Sequence, residues 1–353
     1  MSILFAILLF SFLIFIHELG HFVAAKLSGV QVNEFSMFMG PAIFKKQKGE
    51  TLYSIRCIPF GGYCAMEGED ADTESPRSFQ KAAWWKRVII LVAGAFMNFV
   101  TGVILLAIVY APAEQFIVPV IDKSEPGCSI VREDGLHVGD RFLEIDGEKI
   151  YVQSDFMLLL SINPSETHDL VVERNGEKIY LNDFPMEKHT FTDENGEKSA
   201  RFGFSFGVED ATFGNRVSYI WNNTINVVRQ VRLSLKMLFT GQAGLKDVSG
   251  PVGIVQIMST TADAAPDTSS AVRNMLFFGG FIAINLAVMN LLPIPALDGG
   301  RVVGLLITTA IEKITRKKIN PKYEGYIHAT GMVLLLGLMA VIMFKDIFTI
   351  FKG

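Results

Sequence analysis

The segment FIHELGHFVAAK, Phe15 to Lys26, closes a nearly unbroken apolar run that begins at Ile3. Side chains that charge or coordinate are costly in such a run unless they are paired or put to use. His17, Glu18 and His21 therefore constrain the fold more than any other feature. In a helix the two histidines, four apart, share one face, so the surroundings must compensate three polar groups near one end of an apolar helix. Half of the 353 residues are apolar, which suits a membrane protein with a soluble insert better than an ordinary soluble one.

A spanning helix takes about 20 mostly apolar residues. Four regions qualify: Ile3 to Leu27, Val88 to Ala111, Met275 to Ile311, and His328 to Phe344. The first has no basic flank and no small-residue cleavage site, so it is expected to be a retained helix, not a signal peptide. The loop between the first two spans carries Lys45, Lys46, Lys48, Arg56, Arg77, Lys81, Lys86 and Arg87, and the loop before the last carries EKITRKKINPKYE. Both are expected in the cytosol. The segment from Pro112 to Val272, with 24 acidic and 14 basic residues, then lies outside with both termini. The net charge is −4 and no basic patch has nucleic-acid character, so no nucleic acid is expected as a partner. Cys57, Cys64 and Cys128 are odd in number and scattered; they form neither a disulfide framework nor a zinc-finger knuckle and are read as free or structural.

The third region is too long for one straight span, and NLLPIPALDGGR interrupts it. Pro293 and Pro295 remove backbone donors, while Gly299 and Gly300 permit sharp turns. Irregular backbone at membrane depth is tolerated where it is buried in protein or lines a wet cavity, and Asp298 sits in this break. Two imidazoles at the spacing of His17 and His21 can grip one zinc ion, with Glu18 in reach as a general base. A catalytic zinc takes three protein ligands. Asp298, the only carboxylate in the third region before Glu312, is the best candidate for the third. His17 lies about 14 Å of helix from Lys26, and the break about 27 Å from Met275, similar depths on the cytosolic side of the bilayer.

HELGH in a first membrane helix, paired with NLLPIPALDGG in a later one, resembles the site-2 protease family of intramembrane zinc metalloproteases, most closely its bacterial RseP/RasP branch. FGGYCAMEGED is similar to the branch's glycine-tyrosine element, and GPVGIVQI to its segment before the third span. The resemblance covers nearly the whole chain. It implies that His17, His21 and Asp298 bind one Zn²⁺ and that Glu18 activates water. It also implies that Asn285 and Asn290 contact the substrate backbone, and that sheet around Gly61, Gly62 and Tyr63 offers an edge to an unwound substrate by strand addition. AGAFMN carries Ala95 where the family often has proline, which leaves Asn98 without an assigned role.

The expected organisation is a multi-pass α-helical membrane protein of about four spans, one broken. Residues 1–27 form the first span, 28–87 a cytosol-side, membrane-associated β hairpin and loop, and 88–111 the second span. AIFKKQKGETLYSIR reads as the hairpin, with Lys48-Gly49 in its turn. Residues 112–210 resemble a PDZ domain, with a short helix near Ser154 to Ser161 and an Asn175-Gly176 hairpin turn. Residues 211–272 hold amphipathic helices lying beside the membrane. The broken third region covers 273–311, a basic cytosolic loop 312–327, and the fourth span with the C-terminus 328–353. The expected function is hydrolysis of single-span membrane proteins, such as anti-sigma factors or remnant signal peptides, within their membrane segments. Besides the lipid bilayer and these substrates, no obligate protein partner is evident. A non-enzymatic PDZ scaffold and a metal transporter using the same ligands are the alternatives; Glu18 disfavours both, because neither needs a proton acceptor beside three ligands.

Overall fold

The computed structural model describes all residues except 1, 70–72, 126, 127, 129, 193–197, 245, 249, 318, 321 and 353. The chain divides into two compact units, residues 1–109 with 230–353, and residues 110–229. Among the described residues, four helices are long and apolar enough to cross a membrane: Leu4–Ser28, Trp84–Tyr110, Thr268–Asn290 and Gly325–Thr349.

In the first unit, α1 (Ser2–Ser28) leads into β1 (Val32–Lys48) and β2 (Thr51–Met66). The hairpin closes at Lys48 opposite Thr51, so the tight turn runs through Lys48, Gly49, Glu50 and Thr51; Gly49 supplies the positive φ of 60°. The sheet then curls back on itself. Residues Glu34 to Met37 face Leu52 to Ile55 and also face Ala65 to Gly62. Bends at Phe38, Gly40 and Gly61, all with positive φ, let one short segment of β1 lie between two segments of β2. Its apolar face joins Ala25, Val30, Val32, Phe35, Cys64, Met66, Ile90 and Leu305 in one core.

Helix α2 (Trp84–Tyr110) begins four residues before the apolar run. Hydropathy marks where a helix enters lipid, whereas backbone bonding decides where it starts; Trp84, Trp85, Lys86 and Arg87 are side chains suited to the membrane surface. After the second unit the chain returns through the later half of α4 (Phe213–Thr240), then α5 (Pro251–Asp263) and α6 (Thr268–Asn290). Asp267 caps α6 by accepting from Ser270 N at 2.9 Å. Glycines let the spans approach closely: a Cβ on Gly102 would meet Gly280 O at 2.9 Å, and one on Gly279 would meet Leu9 Cδ1 at 3.0 Å. The helical path breaks at Leu291 to Leu297 and resumes as α7 (Asp298–Thr315), followed by α8 (Lys322–Lys352). Asp346 of α8 accepts from Gly250 N at 2.9 Å and Gly253 N at 3.0 Å, satisfying free donors at the start of α5.

The second unit is an antiparallel sheet with one short helix and the early half of α4. Its strands are β3 (Gln115–Ser124), β4 (Arg141–Ile145), β5 (Glu148–Lys149), β6 (Thr167–Arg174), β7 (Glu177–Pro185) and β10 (Phe204–Asp210). They order as β10-β3-β4-β6-β7, with β5 beside β4, while β8 (His189–Thr192) and β9 (Lys198–Arg201) form a separate hairpin. Asn175 and Gly176 make the β6–β7 turn, both with positive φ. α3 (Ser154–Ile162) covers the sheet, with Phe156 against Phe142, Phe204 and Phe206. The early half of α4, up to Arg229, belongs to this unit. Arg229 pairs with the fully buried Asp155 at 2.7 Å, and Tyr219 stacks on Phe116 with centroids 4.1 Å apart. α4 is not among the four candidate spans. Cys57, Cys64 and Cys128 are free.

Candidate active site

α1 presents His17 and His21 on its inner face because their four-residue spacing stacks them one turn apart; the rings stand edge to face, 4.8 Å between centroids. Asp298 arrives from the other half of the unit as the first residue of α7, where the positive end of the helix dipole favours a carboxylate. His17 Nε2 and His21 Nε2 lie 3.1 and 3.4 Å from Asp298 Oδ2 and 3.1 Å from each other. A tetrahedral ion with bonds of about 2.0 Å holds its ligands about 3.3 Å apart, so these separations fit one zinc. Asp298 Oδ2 is buried without a hydrogen-bond partner among the described residues, as expected of an atom meant for a cation. His21 Nδ1 sits 2.8 Å from Ile90 O; this puts its proton on Nδ1 and frees Nε2 for a metal. His17, His21 and Asp298 form the one such group of potential ligands among the described residues.

The break that carries Asp298 is held from both sides. A Cβ on Gly299 would strike the carbonyl of Leu291, and one on Gly300 that of Ile294; only glycines let the loop fold over the first turn of α7. Ala296 takes a positive φ of 83°, and its N–H donates to His328 Nδ1 on α8 at 3.2 Å. Gly331, one turn further along α8, leaves room for Pro295. Arg301 of α7 pairs with Glu69, just beyond β2.

The other residues singled out from the sequence are distributed as follows. Glu18 is half-buried on α1, and a Cβ on Gly62 would come 3.3 Å from its Cγ and 3.0 Å from Ser36 O. The curled end of β2 therefore lies directly against the glutamate, and a Cβ at Gly62 would be tight there. Gly61 forms the bend before it, with φ 78°. Tyr63 points into a polar network instead: Arg56 donates to its hydroxyl and, at 2.7 Å, to Glu34 Oε1. Burial raises the Glu34 pKa, but hydrogen bonds from Ser54 and Arg56 outweigh it and hold the carboxyl below its ordinary range. Asn285 and Asn290 lie on the last two turns of α6, both half-buried, with Asn290 as its final residue before the break.

Sequence reasoning missed Gly94. A Cβ there would overlap His21 Nε2 and reach 2.8 Å from His17 Cε1, while one on Gly20 would strike Ala93 O. This glycine pair lets α1 and α2 touch beside the two imidazoles. A small residue four before Asn98 was the available signal, but spacing alone does not say which helix it faces. Gly94→Ala is expected to push both imidazoles out of place, at an overpacking cost of about 1–3 kcal/mol. Zinc per purified chain should fall with activity, as metal analysis will show; full zinc content would disprove the close packing of Gly94 on the ligands.

Four matches to known proteins bear on this geometry. The family model described as Peptidase family M50 matches residues 5–338. A Clostridium perfringens protein whose name describes a zinc metalloprotease is 37% identical over 98% of both chains. A Fusobacterium nucleatum protein with a name of the same kind is 32% identical over 100% of both. The regulator of sigma-W protease RasP of Bacillus subtilis is 27% identical over 98% of both. The family match runs from α1, which bears the two histidines, through α7, which bears the aspartate, and into α8, and on that basis the chain belongs to peptidase family M50.

Proposed function

We propose that this multi-pass membrane protein is an intramembrane zinc protease that cuts single-span proteins within their membrane segments, with His17, His21 and Asp298 as zinc ligands and Glu18 as general base. The observation that carries this reading is the convergence of three ligand atoms, 3.1 to 3.4 Å apart, beside a glutamate on a helix apolar enough to span a bilayer. Zinc in such a site supplies a Lewis acid that makes water nucleophilic and polarises a carbonyl. Glu18 takes the proton of the attacking water and passes it to the leaving amide nitrogen. Asn290, at the lip of the break, offers donors and an acceptor to the substrate backbone, and Asn285, one turn earlier, does the same.

The edge of β2 near Gly61 and Gly62 supports strand addition. A helical peptide bond is shielded by its own hydrogen bonds, and pairing with an edge keeps the substrate extended next to Glu18. The antiparallel sheet and helix α3 of the second unit support its reading as a PDZ-like domain outside the membrane. The charge split between loops supports a cytosolic hairpin and extracytoplasmic termini. The Bacillus subtilis relative is named for regulation of sigma-W, which favours anti-sigma factors, alongside remnant signal peptides, as the substrate class.

Loss of the base and loss of a ligand should look different. Glu18→Gln is nearly isosteric and should keep its zinc while cleavage of a membrane-segment peptide falls by at least about 10²–10⁴-fold. Asp298→Ala should lose zinc as well as activity. Near-normal turnover by Glu18→Gln in detergent would overturn the hydrolytic assignment, and full zinc in Asp298→Ala would remove that residue from the ligand set. A reporter fused after Lys48 should read cytosolic and one in the Gly176 turn external; an external reading at Lys48 would invert the orientation.

A further inference from the structure

Asn98 stands one turn after Gly94 on α2, only 1% exposed. Its Nδ2 is 3.5 Å from His17 Nδ1, and its Oδ1 is buried with no hydrogen-bond partner among the described residues. A buried amide inside an apolar helix is costly unless it bonds, and here it faces the Nδ1 side of the His17 imidazole. An imidazole that gives Nε2 to a cation carries its proton on Nδ1, and that N–H needs an acceptor. His21 has one in Ile90 O, at 2.8 Å. For His17 the group in that place is Asn98. A half-turn of the amide exchanges its oxygen and nitrogen with little change of shape and sets the stranded carbonyl against the ring N–H.

We infer that Asn98 is a positioning residue for His17: its side-chain carbonyl accepts the Nδ1–H and holds the ring in the tautomer and orientation that point Nε2 at Asp298 Oδ2. The inference rests on the reading of His17 as a zinc ligand. The two histidines are then fixed by the same helix through different atoms, His21 by the backbone carbonyl of Ile90 and His17 by the side chain of Asn98, two turns further on. A neutral acceptor orients the ring without adding a second negative charge beside Asp298.

The test compares the full-length parent with Asn98→Leu and Asn98→Asp in detergent. Leucine keeps the volume and removes the acceptor; aspartate keeps an acceptor. Zinc affinity is measured by competition with graded chelator, and thermal unfolding is followed in excess chelator to read the metal-free fold. Asn98→Leu should bind zinc about 10–100-fold more weakly with an unchanged metal-free unfolding temperature, and Asn98→Asp should restore affinity to the parent's level or above. Equal zinc affinity in parent and Asn98→Leu, or equal weakening in both variants, would reduce Asn98 to a packing residue. In zinc-loaded protein with ¹⁵N-labelled histidine, Asn98→Asp should move the Nδ1 resonance of His17 and leave that of His21 in place. This readout does not depend on the leucine variant folding, and an unmoved His17 signal would overturn the inference. Failure of the parent itself to bind zinc would instead refute the ligand assignment on which the inference rests.

Discussion

Two imidazoles and a carboxylate meet inside an apolar bundle, and the rest of the first unit is arranged around that meeting. Each group alone would be expensive at this depth. Together, at 3.1 to 3.4 Å from one another, they are placed so that they could hold one cation, which would offset the burial that the sequence imposes on α1. The requirement spreads outward from there. α2 has to press against α1 so that Ile90 and Asn98 reach the ring nitrogens, which demands glycine at 20 and 94. α7 has to start where Asp298 can face α1, which demands a break tight enough that Gly299 and Gly300 tolerate no Cβ. α8 holds that break through His328 and makes room for Pro295 at Gly331.

Local signals make the outline legible. Long apolar runs are a one-dimensional property, and all four candidate spans are visible in them. The His-Glu-His spacing survives in any helix, and Asp298 stands out because a carboxylate inside a broken apolar segment is costly unless it binds something. The Asn175-Gly176 turn is legible for the same reason, since its chemistry lies in two adjacent residues. What stays hidden depends on proximity between distant parts. No pattern in residues 32–66 announces that one short segment of β1 will be flanked by two segments of β2. Nothing at Gly94 says that its missing side chain is space for two imidazoles. The start of α2 escapes a reading by apolar run because Lys86 and Arg87 separate Trp84 and Trp85 from the run that begins at Val88. The early half of α4 is separated from its unit in such a reading because a buried Arg229–Asp155 pair leaves no trace in hydropathy.

The curled sheet links the metal centre to the substrate chemistry proposed for it. Gly62 rests against Glu18 because it has no side chain, and the same bareness leaves main-chain groups, not side chains, as what β2 can present there. Peptide bonds within a membrane helix differ little in backbone chemistry from one sequence to another, so a site that grips main chain suits many membrane segments.

The most direct measurement is zinc X-ray absorption on the purified wild-type protein in detergent. One zinc per chain, bound by two imidazole nitrogens and carboxylate oxygen with no sulfur scatterer, is expected from the convergence of His17, His21 and Asp298. A sulfur ligand, a single imidazole, or protein that takes up no zinc would contradict it.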